Sequence, residues 1–310
     1  MKILMTGAAG YIGTWLGPEL REHGHEVYGA DLRPQETEHH TVTDLLDPDS
    51  VERLFAEVRP DVVVHLAAKY GRVQGEDRRW ETVRDNAEMT TLIAEACGAF
   101  EARLVYVSSS EVYGTGLSGA DWTKPRAWND VKPLNLYGLT KLWGEQVAEL
   151  YAPTGLVIAR LNMPYGPGPS SGTPAHVGRN ALHTFLWQAH HRHPITVHQD
   201  TSRSYTWVGD VMAGLRMAIE QSQDGGRYVV SRTDDLRTSE EVAKLACEIA
   251  DWADPVINIV GRPKGVTPVK TYDNSTTLAL GWKPTVELEL GIQRTYDWIR
   301  HFDEDGLWQV

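Results

Sequence analysis

Short apolar runs alternate with longer segments of helical spacing along the first half of the chain. Five runs predict strands buried on both faces: Met1–Thr6, Glu26–Ala30, Asp61–Leu66, Leu104–Ser108 and Leu156–Leu161. Helical periodicity marks the segments between them, chiefly Tyr11–His23, Glu81–Ala99 and Asn135–Tyr151. This alternation predicts an α/β fold, a Rossmann-type doubly wound parallel sheet with helices on both faces.

The alternation ends after Leu161. Residues 162–175 carry four prolines, which predicts a loop, and the elements beyond it are shorter and mixed. Tyr228–Ser231 is apolar again, and we expect it to rejoin the main sheet. We therefore predict a Rossmann domain over residues 1–165, with a returning strand near 227–232. Most of 166–310 would form a smaller, discontinuous mixed α/β domain that binds the substrate.

Composition excludes several classes of protein. The 310 residues are 41% hydrophobic and 23% charged, as in ordinary globular proteins. The net charge of −12 argues against binding to nucleic acid or to an anionic membrane surface. No apolar run reaches the ~18 residues of a membrane helix. Cys97 and Cys247 lie in apolar helical patterns typical of buried thiols, so the expected location is a reducing cytoplasm.

Three glycines, Gly7, Gly10 and Gly13, lie between the first predicted strand and the first predicted helix. A tight turn at this place lets the backbone approach a pyrophosphate, whose charge the free N–H groups of the helix start stabilise. Asp31 ends the second strand, where a carboxylate accepts ribose hydroxyls and repels a 2′-phosphate. The pattern predicts a dinucleotide cofactor, NAD in preference to NADP, although nearby Arg33 weakens that preference.

Tyr137 and Lys141 lie four residues apart in a predicted helix and share one face of it. A tyrosine hydroxyl titrates near ~10, so it needs a neighbouring cation to act as a base at neutral pH. The run Ser108 to Ser110 directly follows a buried strand, where ligands bind in open α/β sheets. Each pattern also occurs by chance. Their combination with the glycine loop indicates a nicotinamide-dependent redox enzyme.

With these motifs and several others, the chain resembles the extended short-chain dehydrogenase/reductase family, in its NAD-dependent epimerase/dehydratase branch. The resemblance covers essentially the whole length. The other motifs are Asp44-Leu45, the segment His65 to Ala68, Asn86, and the segments Arg160 to Gly168, Arg203 to Val211 and Leu280 to Thr285.

The resemblance implies roles for individual residues. Ser109, Tyr137 and Lys141 would be catalytic. Ser110 and Glu111 lie where relatives that eliminate water or CO2 carry an extra acid and base, although a solvated or capping role for Glu111 is equally open. The implied NAD-binding residues are Gly7, Gly10, Tyr11, Ile12, Gly13, Asp31, Arg33, Asp44, Leu45, Leu66, Ala67, Ala68, Asn86, Tyr137 and Lys141. The candidate substrate-binding residues are Ser110, Asn162, Arg179 and Arg203.

One position departs from the family pattern. The family usually has an asparagine three residues after Arg160, where this chain has Met163, and Asn162 comes one residue early. That asparagine often contacts the nucleotide diphosphate. Either Asn162 replaces it through a shifted loop, or the substrate is held differently.

Histidines are frequent between His176 and His198. A metal site needs several ligands that converge in a regular geometry, and no cysteine or aspartate cluster accompanies these histidines. We predict no metal here and expect the segment to form a helix and a strand of the substrate-binding part.

The implied chemistry begins with one oxidation. Tyr137 takes the proton of a sugar hydroxyl, NAD takes the hydride, and a 4-keto sugar results. Our first hypothesis is a nucleotide-sugar epimerase, which returns the hydride to the other face. The alternatives are a 4,6-dehydratase or decarboxylase that uses Glu111, a simple carbonyl reductase, or a non-catalytic NAD-binding regulator. The expected partners are a nucleotide-diphosphate sugar and, by resemblance, a second copy of the chain contacted through helices 81–99 and 135–151.

Overall fold

The computed structural model describes residues 1–70, 76–115, 125–152, 155–168, 181–222 and 225–304. The strands are β1 (Lys2–Thr6), β2 (Glu26–Asp31), β3 (His40–Val42), β4 (Val62–His65), β5 (Arg103–Ser109), β6 (Val157–Leu161), β7 (Pro164–Tyr165), β8 (Ile195–His198), β9 (Ser202–Ser204), β10 (Thr206–Trp207), β11 (Gly226–Val230), β12 (Leu236–Thr238), β13 (Ile257–Val260) and β14 (Val269–Lys270). The helices are α1 (Tyr11–Glu22), α2 (Pro48–Val58), α3 (Arg79–Ala99), α4 (Leu136–Tyr151), α5 (Ala181–His190), α6 (Val208–Gln221), α7 (Ser239–Ile249), α8 (Ser275–Ala279) and α9 (Leu288–Glu304).

The central sheet has seven parallel strands in the spatial order β11-β6-β5-β4-β1-β2-β3. The chain winds outward from β1 in one direction through β2 and β3, and in the other through β4, β5 and β6. This order confirms the predicted doubly wound Rossmann-type sheet. Ligands bind such sheets where the winding reverses, here between β1 and β4 at their carboxyl ends.

Both faces of the sheet are covered, as its apolar strands require. Ile3 and Met5 lie in one core with Leu16 of α1, whereas Leu4 lies in the other with Ile93 of α3. Helix α1 packs against α6 on the first face, and α3 packs against α2 and α4 on the second. Full burial of each large aliphatic side chain contributes about 1.5–3 kcal/mol, so the two cores hold the sheet rigidly beneath its carboxyl edge.

The predicted elements are present, with ends shifted by one or two residues. The returning strand is confirmed, since β11 pairs with β6 in parallel. Helix α6 was not foreseen, and it covers the sheet beside α1. More of the second half therefore belongs to the Rossmann layers than one returning strand, and the predicted domain boundary at residue 165 stays a prediction.

The second half contains a small sheet that bears on the site. β9 lies between β12 and β14, and Lys270 of β14 is in register with Arg203 of β9. Helices α5, α7 and α9 pack against one another, and α7 also contacts β12. The register places two basic residues at neighbouring positions of one sheet.

Both cysteines are buried, and neither forms a disulfide. Burial raises the pKa of the Cys97 thiol, which keeps it unreactive. Within the ranges that the structure describes, no helix is both long and apolar enough to cross a membrane. The cytoplasmic location expected from the sequence stays a prediction.

Candidate active site

The glycine loop joins β1 to α1 in a close-packed turn. Gly7 has φ +71°, and a Cβ atom on it would lie 2.6 Å from the backbone nitrogen of Ala67. A Cβ atom on Gly13 would lie 2.4 Å from the carbonyl oxygen of Ala8. Glycine at both positions therefore keeps the start of α1 bare and close to the end of β4. This geometry fits the pyrophosphate of a dinucleotide.

Asp31 ends β2 beside that loop. Its carboxylate accepts hydrogen bonds from the backbone N–H groups of Ala9 at 3.1 Å and Arg33 at 3.0 Å. The Arg33 guanidinium donates to the carbonyl oxygen of Ala9 at 2.7 Å and lies 3.4 Å from the Asp31 carboxylate. The Asp31 carboxylate is thus fixed at the end of β2, where a carboxylate can accept the hydroxyls of an adenosine ribose. Arg33 is already paired with it. The arrangement fits NAD better than NADP.

A cavity of about 630 Å³ extends from the glycine loop along the carboxyl ends of the strands. Most residues predicted from the sequence line it: Gly7, Gly10, Tyr11, Ile12, Gly13, Asp31, Arg33, Asp44, Leu45, Leu66, Ala67, Ala68, Ser109, Ser110, Glu111, Tyr137 and Lys141. Met163, His183 and Lys270 from the later part of the chain also contribute to its wall. Its volume and position are typical of a ligand site in an open α/β sheet.

Ser109 and Tyr137 both line this cavity. Ser109 ends β5, and Tyr137 lies in the first turn of α4. The helix can start this close to β5 because residue 138 is glycine: a Cβ atom there would lie 2.4 Å from the carbonyl oxygen of Glu111. Asn135 caps the helix by accepting a hydrogen bond from the Gly138 N–H at 2.9 Å.

Lys141 is buried one helical turn after Tyr137. Its ammonium group donates to the carbonyl oxygen of Val107 at 2.9 Å and lies 5.0 Å from the centre of the Tyr106 ring. Burial lowers the pKa of Lys141 to about 8, against an opposing effect of Glu145. Burial also raises the pKa of Tyr137, although its hydrogen bond with Ser109 acts in the other direction. Tyr137 is therefore a neutral phenol in this structure, and its activation by Lys141 stays a prediction.

A buried ion pair lies behind the serine run. Glu145 of α4 accepts two hydrogen bonds from Arg160 of β6, at 2.8 and 2.6 Å, and one from Ser108 at 2.5 Å. Arg160 also stacks on Trp128, 3.6 Å from a ring centre, and donates to its carbonyl oxygen at 2.6 Å. This network joins α4, β5 and β6, so it fixes the elements that carry Ser109, Tyr137 and Lys141.

Glu111 is held at the cavity wall by two partners. Its carboxylate forms an ion pair with Lys270 and accepts a hydrogen bond from the Asn135 side chain at 2.7 Å. Burial raises the pKa of Glu111, but the charge and hydrogen bond of Lys270, the hydrogen bond of Asn135 and the charge of Arg203 outweigh it and lower the pKa overall. Glu111 is therefore a fixed, paired carboxylate and not a solvated surface group.

Three predicted ligands with described positions do not line the cavity: Asn86, Asn162 and Arg203. Asn86 donates to the carbonyl oxygen of Lys69 at 3.0 Å and accepts from its N–H at 2.7 Å. Arg203 donates to the carbonyl oxygens of Ser202 and Pro268, each at 2.8 Å. Their direct contacts with cofactor and substrate stay predictions. Arg179 lies outside the described residues.

The loop after β6 bears on whether Asn162 replaces the asparagine that the family usually has at the position of Met163. Asn162 is fully buried, accepting a hydrogen bond from Ser110 at 2.9 Å and donating to the carbonyl oxygen of Ser204 at 2.9 Å. Met163 lines the cavity with φ +42°, a backbone conformation that asparagine adopts more readily than methionine. The loop is therefore not shifted so as to present Asn162, which favours the second alternative, a substrate held differently at this point.

Sequence reasoning missed several residues of the site, chiefly Lys270, Asn135 and Glu145. Lys270 is separated from Glu111 by 159 residues, and no local pattern links them. Asn135 had a usable signal, because an asparagine directly before a predicted helix is a common N-cap. Glu145 lies one turn after Lys141 on the same helix face, the position expected of a partner for a buried charge.

Comparisons with known proteins agree with this geometry. The NAD dependent epimerase/dehydratase family matches residues 3–231. The chain is 25% identical to the UDP-N-acetyl-alpha-D-glucosaminuronate decarboxylase of Bacillus cytotoxicus, over 98% of this chain and 99% of that protein. It is 26% identical to the dTDP-L-rhamnose 4-epimerase of Burkholderia thailandensis, over 96% and 94% respectively. The solved UDP-glucuronic acid 4-epimerase of Bacillus cereus, in complex with UDP-glucuronic acid and NAD, is similar with a TM-score of 0.84 and 25% identity, over 97% of this chain and 100% of that one. The chain belongs to the NAD-dependent epimerase/dehydratase family.

Proposed function

We propose that the chain is a nucleotide-sugar 4-epimerase that works through a transient 4-keto sugar. Bound NAD supplies the hydride acceptor for oxidation of C4 and the hydride donor for its reversal. Tyr137 exchanges the proton of the C4 hydroxyl, Ser109 holds the oxygen, and Lys141 supplies the nearby positive charge. Their common place in one cavity supports these roles.

The observation that favours epimerisation over dehydration is that Glu111 is paired with Lys270 and Asn135. A dehydratase needs a base for the C5 proton and an acid for the leaving hydroxyl. Burial raises the pKa of Glu111, but Lys270 outweighs it and the pKa is lowered overall. Both carboxylate oxygens are also engaged, one by Lys270 and one by Asn135. Glu111 is therefore a weak base. By resemblance, Ser110 lies where a dehydratase carries its acid, but its hydroxyl donates a hydrogen bond to Asn162. An epimerase needs neither group, because the same residues serve both directions.

Decarboxylation is the second candidate, because it needs no base for a C5 proton. A 4-keto uronate is a β-keto acid. Its C5–C6 bond breaks, the electron pair passes to the C4 carbonyl oxygen, and CO2 leaves; the enolate then takes up a proton from solvent at C5. The Bacillus cytotoxicus relative is named as a decarboxylase, which supports keeping this branch. A non-catalytic NAD-binding regulator is disfavoured, since it has no need of Ser109, Tyr137 and Lys141 in one cavity.

The test is conversion of a panel of UDP-, dTDP-, GDP- and CDP-linked hexoses and uronates, with products read by mass and NMR. We expect a product of unchanged mass with inverted C4 and no net reduction of NAD. Glu111→Gln should keep turnover within about tenfold, short of the 10²–10⁴-fold loss of an acid–base group. Loss of water contradicts the proposal, loss of CO2 supports the second candidate, and no conversion of any sugar contradicts both.

We also propose a homodimer formed through α3 and α4, which pack side by side. Exposed apolar side chains follow these two helices: Trp80, Val83, Leu139, Trp143 and Leu150. Contiguous exposed apolar residues of this kind mark interaction surfaces.

Sedimentation velocity tests the homodimer. The wild type should sediment as a dimer, and Leu139→Glu combined with Leu150→Glu should give a monomer, because a charge cannot be buried unpaired. Leu278→Glu, at an exposed leucine of α8, is the matched control and should stay dimeric. A monomeric wild type contradicts the proposal.

A further inference from the structure

Lys270 is a cation that the second half of the chain brings to the reacting end of the cavity. It ends β14, and the register of β14 with β9 places it beside Arg203. Its side chain lines the cavity and pairs there with Glu111. The Glu111 backbone N–H donates to the hydroxyl of Ser109 at 3.2 Å. The ammonium group is thus fixed next to the residues that would handle C4.

The charges around Glu111 favour a second anion. Two buried cations, Lys270 and Arg203, act on this one carboxylate. Burial of a cation is costly, and an anion in direct contact offsets that cost. A further carboxylate entering the cavity at this point would contact Lys270, with the charge of Arg203 behind it in the neighbouring strand, whereas a neutral group would gain from neither charge.

We propose that Lys270 recognises a carboxylate of the substrate, and that the substrate is therefore a nucleotide-linked uronate. The inference rests on the proposed function, because it requires the C4 hydroxyl to lie between Ser109 and Tyr137. C6 of a hexose is then two bonds from the reacting carbon, on the side of the sugar that can face Glu111. The C6 carboxylate takes the place of Glu111 as the partner of Lys270, and Glu111 keeps Lys270 charged and directed into the cavity before substrate binds.

The diphosphate of the substrate is the rival partner for Lys270. Arg203, its neighbour across the β9–β14 pair, is a candidate substrate-binding residue whose guanidinium group suits a diphosphate. The two assignments differ in one respect. Every nucleotide sugar carries a diphosphate, but only a uronate carries a carboxylate at C6. A matched pair of sugars on one nucleotide therefore separates them.

The experiment is calorimetric titration of the NAD-loaded Tyr137→Phe protein, which binds without turnover, with UDP-glucuronate and UDP-glucose. Lys270→Met should raise the Kd for UDP-glucuronate about tenfold or more and that for UDP-glucose less than about threefold, since one charged contact is lost. Lys270→Arg should largely restore the first value. Glu111→Gln should act in the opposite direction and lower the Kd for UDP-glucuronate, because it removes the competing carboxylate.

Lys69→Met is the matched control. Lys69 also lines the cavity and forms an ion pair, with Asp85 at 2.7 Å, so its loss should change both dissociation constants by the same factor. If Lys270→Met does not fold, the double variant Lys270→Met/Glu111→Gln replaces the charged pair by a neutral one. It should bind UDP-glucuronate more weakly than Glu111→Gln alone.

Two results overturn the assignment: equal losses for both sugars when Lys270→Met is added to Tyr137→Phe, or tighter binding of UDP-glucose than of UDP-glucuronate by Tyr137→Phe itself. Failure of the proposed function is distinguishable, because it appears as loss of water, or as no conversion of any sugar, with the unmodified enzyme. The binding differences are measured without turnover, so the two failures are read in separate experiments.

Discussion

Replacement of Tyr137 by phenylalanine is expected to lower turnover by about 10²- to 10⁴-fold, the usual contribution of a positioned acid–base group. The variant keeps the ring and loses only the hydroxyl group at the cavity wall. The glycine loop and Asp31, which fit the adenosine end of NAD, are untouched. The protein should therefore keep its NAD, measured as the cofactor released on heat denaturation, while product formation followed by NMR nearly stops.

Tyr70→Phe is the matched control for this prediction. Tyr70 is also a tyrosine of the cavity wall, 40% exposed, but it lies on the loop after β4. Loss of its hydroxyl should change turnover far less than the loss at Tyr137. A Tyr137→Phe variant with turnover near that of the wild type would rule out Tyr137 as the proton-transfer group.

Lys141 gives the same reaction an upper pH limit. Burial lowers its pKa to about 8, so its positive charge is present below that pH and lost as pH rises through it. If that charge assists Tyr137, turnover should decline above about pH 8 and not near the ordinary ~10.4 of a lysine. Lys141→Met should lower turnover at every pH and remove this decline.

The Rossmann layers could be predicted because their strands and helices carry different hydrophobic periods. β1, β4 and β5 are buried on both faces and appear in the sequence as apolar runs. β3, with only His40–Val42, is short and largely exposed, so it leaves no such run. Helix α6 was not predicted, because its first turn overlaps the motif from Arg203 to Val211.

The candidate catalytic residues could be predicted for a different reason, since each lies next to a local signal such as a strand end, a helix start or a glycine turn. Lys270 has no such signal. β14 is two residues long, and its place beside β9 depends on strand pairing distant along the chain. Asn162 is the opposite case, a residue predicted to bind the substrate that does not line the cavity. Its residue type suited a polar ligand, but the fold uses its amide to hold Ser110 and Ser204.

Replacement of Glu145 by alanine should lower the free energy of unfolding by about 3–5 kcal/mol, the range for removing one partner of a buried ion pair. The change takes away the carboxylate that Arg160, only 2% exposed, contacts twice. Chemical denaturation measures the loss. Glu149→Ala is the matched control on the same helix: its ion pair with Arg227 is exposed, so its loss should cost less than about 1 kcal/mol.

The double variant Glu145→Leu/Arg160→Met separates charge from packing. Apolar replacement of both partners of a buried pair is often neutral or stabilising, so most of the lost stability should return. The activity of the double variant, however, should not return fully to that of the wild type. Burial lowers the pKa of Lys141 and Glu145 opposes it, so the stable double variant should lose activity at a lower pH than the wild type. A double variant as unstable as Glu145→Ala would instead assign the loss to packing, above all to the stacking of Arg160 on Trp128.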